Sequence, residues 1–230
     1  MTATRTARRR PVPRPHPPAR RPGHVRSVYE HAAAGYDRYY RRLWLAAAGG
    51  IAEQAMLATV VPAVSALDEP QVLDAGAGTG ALSRRLQASV PGLHPVLVDL
   101  SPAMLDRAAD LHGPRAVVTL DALPFRDDAF DVVLCGWVIE TVDDPVAVVT
   151  ELLRVLRPDG LLTYSFCSRP ASRRYRWRTG PLRAVVHALF AGHFLAEQQT
   201  PFHDCDRSSR RTFAGGAVTV ITLGKCCTVR

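Results

Sequence analysis

One stretch of nine residues constrains this chain more than any other: Val72-Leu73-Asp74-Ala75-Gly76-Ala77-Gly78-Thr79-Gly80. Its apolar start reads as a short strand and its end as the opening of a helix. Glycines in the turn between them permit positive φ and let a ligand approach the backbone closely. A helix that opens directly after such a turn offers unpaired N–H groups to an anion. The spacing is G-x-G-x-G, not the G-x-G-x-x-G of a dinucleotide site. A pyrophosphate therefore fits poorly, and an amino-acid carboxylate fits better. Asp99 follows Asp74 by twenty-five residues, at the end of the next apolar run. A carboxylate there can accept hydrogen bonds from both hydroxyls of a ribose. The alternative is a solvated Asp ahead of a helix start.

The flanking pattern sets the fold class. Short strands are predicted at 71–74, 94–98, 116–120, 130–134 and 161–166, with amphipathic helices between them. Ser101-Pro102 and Asp144-Pro145 each offer an N-cap followed by a proline in the first helical position. The helix after Ser101 is expected to run to about Leu111, and Pro158-Asp159-Gly160 to turn into the fifth strand. Such alternation implies an α/β, doubly wound, mostly parallel sheet, which binds ligands at the carboxyl ends of its strands. Upstream, 25–68 reads as a helical cap broken into two helices at Gly49-Gly50. Downstream, Thr179-Gly180-Pro181 can start a helix with Leu182, Val185, Val186, Leu189, Phe190 and Phe194 on its apolar face. Residues 217–223 form a last β-branched strand.

Charge divides the chain in three. Residues 1–26 carry eight Arg and no acid; 27–166 carry ten Arg against eighteen acids; 167–230 carry ten Arg and Lys225 against three acids. The Arg- and Pro-rich residues 1–24 have almost nothing to bury and are expected to form a disordered arm. Basic ends suit an anionic partner such as RNA or a lipid headgroup. A genome-level bias toward Arg explains them equally well, since a single Lys accompanies twenty-eight Arg. The five cysteines have no framework spacing and read as reduced, in a cytoplasmic protein. No apolar signal core opens the chain. The run from Leu43 to Val64 contains Glu53, Gln54, two Gly and Pro62, so it reads as buried helix rather than a membrane span. His203, Cys205, Cys226 and Cys227 are ligand types without a zinc spacing, so no metal site is expected.

Four blocks together resemble the class I S-adenosylmethionine methyltransferases, in particular the branch of ubiquinone/menaquinone C-methyltransferases and small-molecule enzymes. They are VLDAGAGTG (72–80), VLVDLSPAML (96–105), DALPFRDDAFDVVLC (121–135) and LLRVLRPDGLL (152–162). The resemblance implies a seven-stranded, Rossmann-like sheet in one domain over 25–230. Its cofactor core would span 69–166 and its substrate-side region 167–230. It implies S-adenosylmethionine as cofactor, with Gly76, Gly78 and Gly80 along the methionine part. Asp74 would anchor that loop and the cofactor's amino group, and Asp99 would hold the ribose. Leu100 and Met104 would pack near the adenine, Asp121 would accept from its amine beside the Ala122 backbone, and Cys135 would face cofactor and substrate. N-terminal helices in the family cover the substrate pocket, which makes Tyr29 and Tyr36 candidate walls, with core packing as the alternative.

The chain departs from the family after the fourth strand, in Cys135-Gly136-Trp137-Val138-Ile139-Glu140-Thr141-Val142. Many relatives carry His near Thr141 and this chain has none, so no catalytic residue is assigned. Glu140 is a candidate base or cation holder, or a solvated helix-start residue. No Asn/Asp-Pro-Pro-Tyr/Phe or Pro-Cys motif is present, which argues against nucleic-acid amine or cytosine-C5 chemistry. The expected activity is methyl transfer to a small, lipid-like or aromatic acceptor. The rivals are an RNA methyltransferase that uses the Arg-rich ends, and a cofactor-binding module without catalysis. The basic stretch from 169 to 183 is expected to cap the pocket, with a membrane surface as its alternative.

Overall fold

In the computed structural model the described residues are 22–170, 172–181, 184, 187, 192–196 and 207–225. Seven strands form one sheet: β1 (Val72–Ala75), β2 (Val96–Asp99), β3 (Arg115–Val117), β4 (Phe130–Gly136), β5 (Leu156–Cys167), β6 (Ser208–Phe213) and β7 (Val218–Gly224). Their order across the sheet is β3-β2-β1-β4-β5-β7-β6. The first five pair in parallel, and β7 runs antiparallel to both β5 and β6. β7 falls where the sequence places a last strand, near 217–223; edge strand β6, Ser-Ser-Arg-Arg-Thr-Phe, lacks the apolar alternation that would have marked it.

Strand alternation sorts the core onto two faces. Leu73, Ala75, Val133 and Cys135 pack on one face with Val148, Val149 and Leu152 of helix α5 (Pro145–Val155). Val72, Val132 and Leu134 pack on the other with helices α2 (Gly50–Ser65) and α3 (Ala81–Ser89). Leu97 of β2 packs with Leu105 of the short helix α4 (Pro102–Asp106). Both sequence-read caps form. Ser101 accepts from the Met104 N–H, and Asp144 from those of Val146 and Ala147. α4 is shorter than expected and gives way to turns beyond Asp106. Arg157–Gly160 does not simply precede a strand: β5 runs through it, and the register on β4 jumps from Phe130↔Leu156 to Val132↔Leu161. Asp159 takes φ +63° in that bulge.

The cap is one helical run rather than two helices broken at the glycines. Helix α1 (Pro22–Tyr39) passes into a widened π-type stretch, Tyr40–Gly49, and then into α2. Pro22 to His24 thus begin the helix instead of ending an arm; residues 1–21 lie outside the described residues. So do Cys205, Cys226, Cys227, His203 and the expected apolar face from Leu182 to Phe190; Phe194 is described and buried. Among the described residues, no helix is long and apolar enough to cross a membrane.

Glu53, which breaks the apolar run in the sequence, is buried in the α2 interface and pairs with Arg85 of α3 at 2.6 Å. It also accepts from the Trp137 indole N–H at 3.3 Å. Burial pushes the Glu53 carboxyl up, against the pull of Arg85 and Trp137. Removing the half-exposed partner in Arg85→Ala takes away the guanidinium that offsets this buried charge. The expected cost is about 2–3 kcal/mol of unfolding free energy at pH 8. It should shrink as pH falls and Glu53 takes a proton, and urea melts at pH 8 and at a lower pH measure it.

Candidate functional site

The strand order runs outward from β1 through β2 and β3 on one side and through β4 and β5 on the other, so chain direction across the sheet reverses between β1 and β4. Crevices form at that switch point, beyond the carboxyl ends of the strands. A cleft of about 380 Å³ lies there. Gly76 and Gly78 line it from the loop after β1, Asp99 to Ser101 from the end of β2, and Gly136 to Val138 from the end of β4.

The loop after β1 is held from behind. The N–H groups of Gly76 and Ala77 both donate to the Val98 carbonyl, at 2.8 and 2.9 Å, and that of Gly80 donates to Ala77. The Gly78 N–H donates to Asp99 Oδ2 at 2.8 Å. These donors are therefore spent inside the protein rather than offered to an anion. The glycines contribute room instead. Gly76 sits at φ +74°, and a Cβ on it would lie 2.2 Å from Val138 Cγ2. Gly80 is different: at φ +76°, its Cβ would strike Leu111 at 2.4 Å, on the side that packs against the turns after α4.

Asp99 is the charged centre of the cleft wall. Its Oδ1 accepts from the Ser101 N–H at 2.9 Å while Oδ2 holds Gly78. Burial pushes its carboxyl up, and the backbone donors of Ser101, Gly78 and Leu100 pull it back. Two carboxylate oxygens have about four acceptor sites between them, so these backbone donors leave Asp99 able to accept from a ligand hydroxyl as well. Leu100, Met104 and Asp121 complete this side of the cleft.

The cap closes the other side. Tyr29 and Tyr36 of α1 line the cleft, with ring centroids 6.1 Å apart. Burial raises both phenols, with Glu140 and Asp99 adding to the effect. Two contacts fasten the cap to the sheet: the Thr79 hydroxyl donates to Asp37 Oδ1 at 2.6 Å, and the Trp44 and Trp137 rings meet edge-on at 4.9 Å.

Residues 73–164 match the methyltransferase domain family. A demethylmenaquinone methyltransferase of Clavibacter sepedonicus is 34% identical over 157 residues, covering 66% of this chain and 61% of that protein. One from Mycobacterium sp. (strain KMS) is 31% identical over 191 residues, covering 79% of this chain and 75% of that protein. A solved SAM-dependent methyltransferase from Thermotoga maritima shares the fold at TM-score 0.59 and 19% identity, covering 88% of this chain and all of that one. The chain belongs to the class I S-adenosylmethionine-dependent methyltransferases.

The residues that line the cleft fit this methyltransferase cofactor. Asp99 can take a ribose diol, Asp121 lies beyond it for a purine amine, and Gly76 and Gly78 leave space where a side chain would intrude. Several expected site residues stand elsewhere. Asp74 is buried beneath the loop, accepts from the Ser83 hydroxyl at 2.5 Å and is pushed up to about 6 by burial. Gly80 packs on the α4 side, and Ala122 is exposed outside the cleft wall. Cys135 is fully buried in the core. β4 runs one pleat further than expected, so Cys135 points into the α5 face and Gly136 takes the cleft position.

Glu140 is also off the cleft wall. It is 4% exposed; Oε1 accepts from the Cys167 N–H at 3.2 Å, and Oε2 has no partner among the described residues. Sequence reasoning missed Trp137, which lines the cleft at φ +64°. A large aromatic directly after the strand-end glycine was the available signal.

Burial pushes the Glu140 carboxyl from 4.5 to about 7. The folded chain therefore binds this proton more tightly than the unfolded chain does. Ionisation above pH 7 penalises folding, and the penalty fades as pH falls toward 4.5. Glu140→Gln is expected to be more stable than the parent by roughly 2–3 kcal/mol at pH 8. The two proteins should converge near pH 4.5, as denaturant titrations across that range will test.

Proposed function

We propose that this chain transfers a methyl group from S-adenosylmethionine to a small, lipid-like or aromatic acceptor. The observation that carries the reading is Asp99: a carboxylate at the end of β2, facing the switch-point cleft, whose backbone donors do not use up the acceptor capacity of its two oxygens. The cofactor supplies the activated methyl on its sulfonium. The chain's residues bind, orient and exclude water. Asp99 and Asp121 fix the nucleoside end, Gly76 and Gly78 admit the chain that carries the sulfur, and Tyr29, Tyr36 and Trp137 form an aromatic wall over the remaining space. Aromatic and aliphatic walls of this kind favour a flat or greasy acceptor, in keeping with the names of the demethylmenaquinone relatives. Alignment of a nucleophile with the methyl is then the main task of the protein. The buried thiols Cys135 and Cys167 are unpaired, which supports a reducing, cytoplasmic setting.

An RNA acceptor is less well supported. The cleft closes under α1, and its charged lining among the described residues is Asp99, Asp121, Asp143 and Asp144 against Arg26. A phosphate backbone would meet repulsion at its mouth.

Thermal unfolding with and without S-adenosylmethionine tests the reading. At about 100 times Kd the cofactor should add about 2.7 kcal/mol, raising Tm by roughly 5–10 °C. Asp99→Ala should weaken cofactor binding by about 1–3 kcal/mol. A folded parent protein whose Tm ignores millimolar cofactor would sink the proposal.

A further inference from the structure

We propose that helix α6 (Arg173–Arg178) is a membrane-docking element that seats this enzyme on an anionic lipid surface. Residues 167–196 contain six Arg and no acid. Within them α6 reads Arg-Arg-Tyr-Arg-Trp-Arg. Trp177 is 84% exposed, whereas Trp44 is buried and Trp137 half-buried. An indole standing in water leaves a large apolar surface available for contact.

Tyr175, at 42% exposure, is the more covered of the two aromatics and marks the side of α6 nearer the sheet. Tyr175 packs on the turn between β6 and β7, where a Cβ on Gly215 would lie 2.3 Å from its ring. Gly215 takes φ +65° to make that room. Residues 175 and 177 lie on opposite sides of a helix, so seating Tyr175 turns Trp177 outward. Arg173 and Arg174, at i−4 and i−3, share the face of Trp177. Both are exposed, as is Arg176, and none of the three pairs with a described acid. An aromatic that sits at headgroup depth with guanidinium groups around it is the chemistry of an anionic bilayer surface.

Position supports this occupant. The cleft wall includes no described residue from 167 onward, so α6 itself is not part of that wall; much of the stretch expected to cap the pocket lies outside the described residues. It leaves the sheet after the carboxyl end of β5, the same edge on which the cleft opens. A surface bound at α6 thus faces the edge that carries the cleft. Single-stranded RNA would want a groove with successive stacking faces; on α6 Trp177 and Tyr175 lie on opposite sides of the helix and form no such series.

The full chain is tested by co-sedimentation with phosphatidylcholine vesicles with and without phosphatidylglycerol, and by quenching of tryptophan emission with brominated lipid. Binding is expected for the anionic vesicles, with quenching. Trp177→Ala should lower that binding about tenfold and remove the quenching, while Tm stays put because the side chain is exposed. The double variant Arg173→Ala/Arg174→Ala should lower it by about tenfold or more. Equal binding to neutral vesicles would overturn the proposal. So would anionic binding that both variants leave unchanged, which would assign it to another basic segment. Loss of oligouridylate binding in Trp177→Ala, with no vesicle binding by the parent, would assign the face to RNA and overturn it as well. Neither readout uses turnover, so this proposal and the methyltransferase reading stand or fall separately.

Discussion

The structure turns on how the chain leaves β1. Two consecutive N–H groups, of Gly76 and Ala77, converge on the Val98 carbonyl, and the next, of Gly78, reaches the Asp99 carboxylate. That geometry needs the positive φ of Gly76 and Gly78. It ties the first loop to the end of β2 and fixes both at once. Asp99 also takes the Ser101 N–H, and Ser101 caps α4. One carboxylate thus joins two loops that come from different crossovers. Its backbone donors fix the carboxylate at the cleft wall, so the site is set in place before any ligand arrives.

The cap depends on a second, weaker set of ties. Thr79, inside the glycine loop, holds Asp37 of α1; Trp137, at the end of β4, meets Trp44 and donates to Glu53. Each tie starts at a loop that lines the cleft. The helix that carries Tyr29 and Tyr36 is therefore referenced to the cofactor side of the site, not to a remote part of the core. The widened stretch between α1 and α2 adjusts the helix phase so that Trp44 and Glu53 can both face the sheet. Such π-type insertions commonly stand at functional sites.

Much of this was legible because the rules involved are local. The glycine loop, Asp99, and the Ser101 and Asp144 caps each follow from residue type and spacing within a few positions. Errors arose where one pleat or one packing partner decides the outcome. Extending β4 to Gly136 turned Cys135 inward, because successive side chains alternate. Gly80 reads like its two neighbours in the motif, yet it serves the contact with Ala108 and Leu111. Glu53 looked like a charge that interrupts an apolar helix; only the fold brings Arg85, thirty-two residues on, to meet it. β6 has a polar, Arg-rich sequence because it is an edge strand with one neighbour, so periodicity could not reveal it.

Strongly perturbed carboxyls often mark catalysts, and here that inference misleads. Glu140 and Asp74 are pushed up to about 7 and 6, in both cases first by burial. Neither lines the cleft. Asp74 is occupied by the Ser83 hydroxyl beneath the glycine loop, and Glu140 by the Cys167 N–H at the end of β5. Their altered affinities report desolvation under the floor of the site, not a proton relay inside it. A donor that carries its methyl on a sulfonium needs no general acid to release it, and a base only where the acceptor must lose a proton first. An aromatic wall, a carboxylate facing the cleft and an uncluttered backbone would be sufficient machinery for that chemistry. The carboxyls beneath can then be spent on holding strands and loops together.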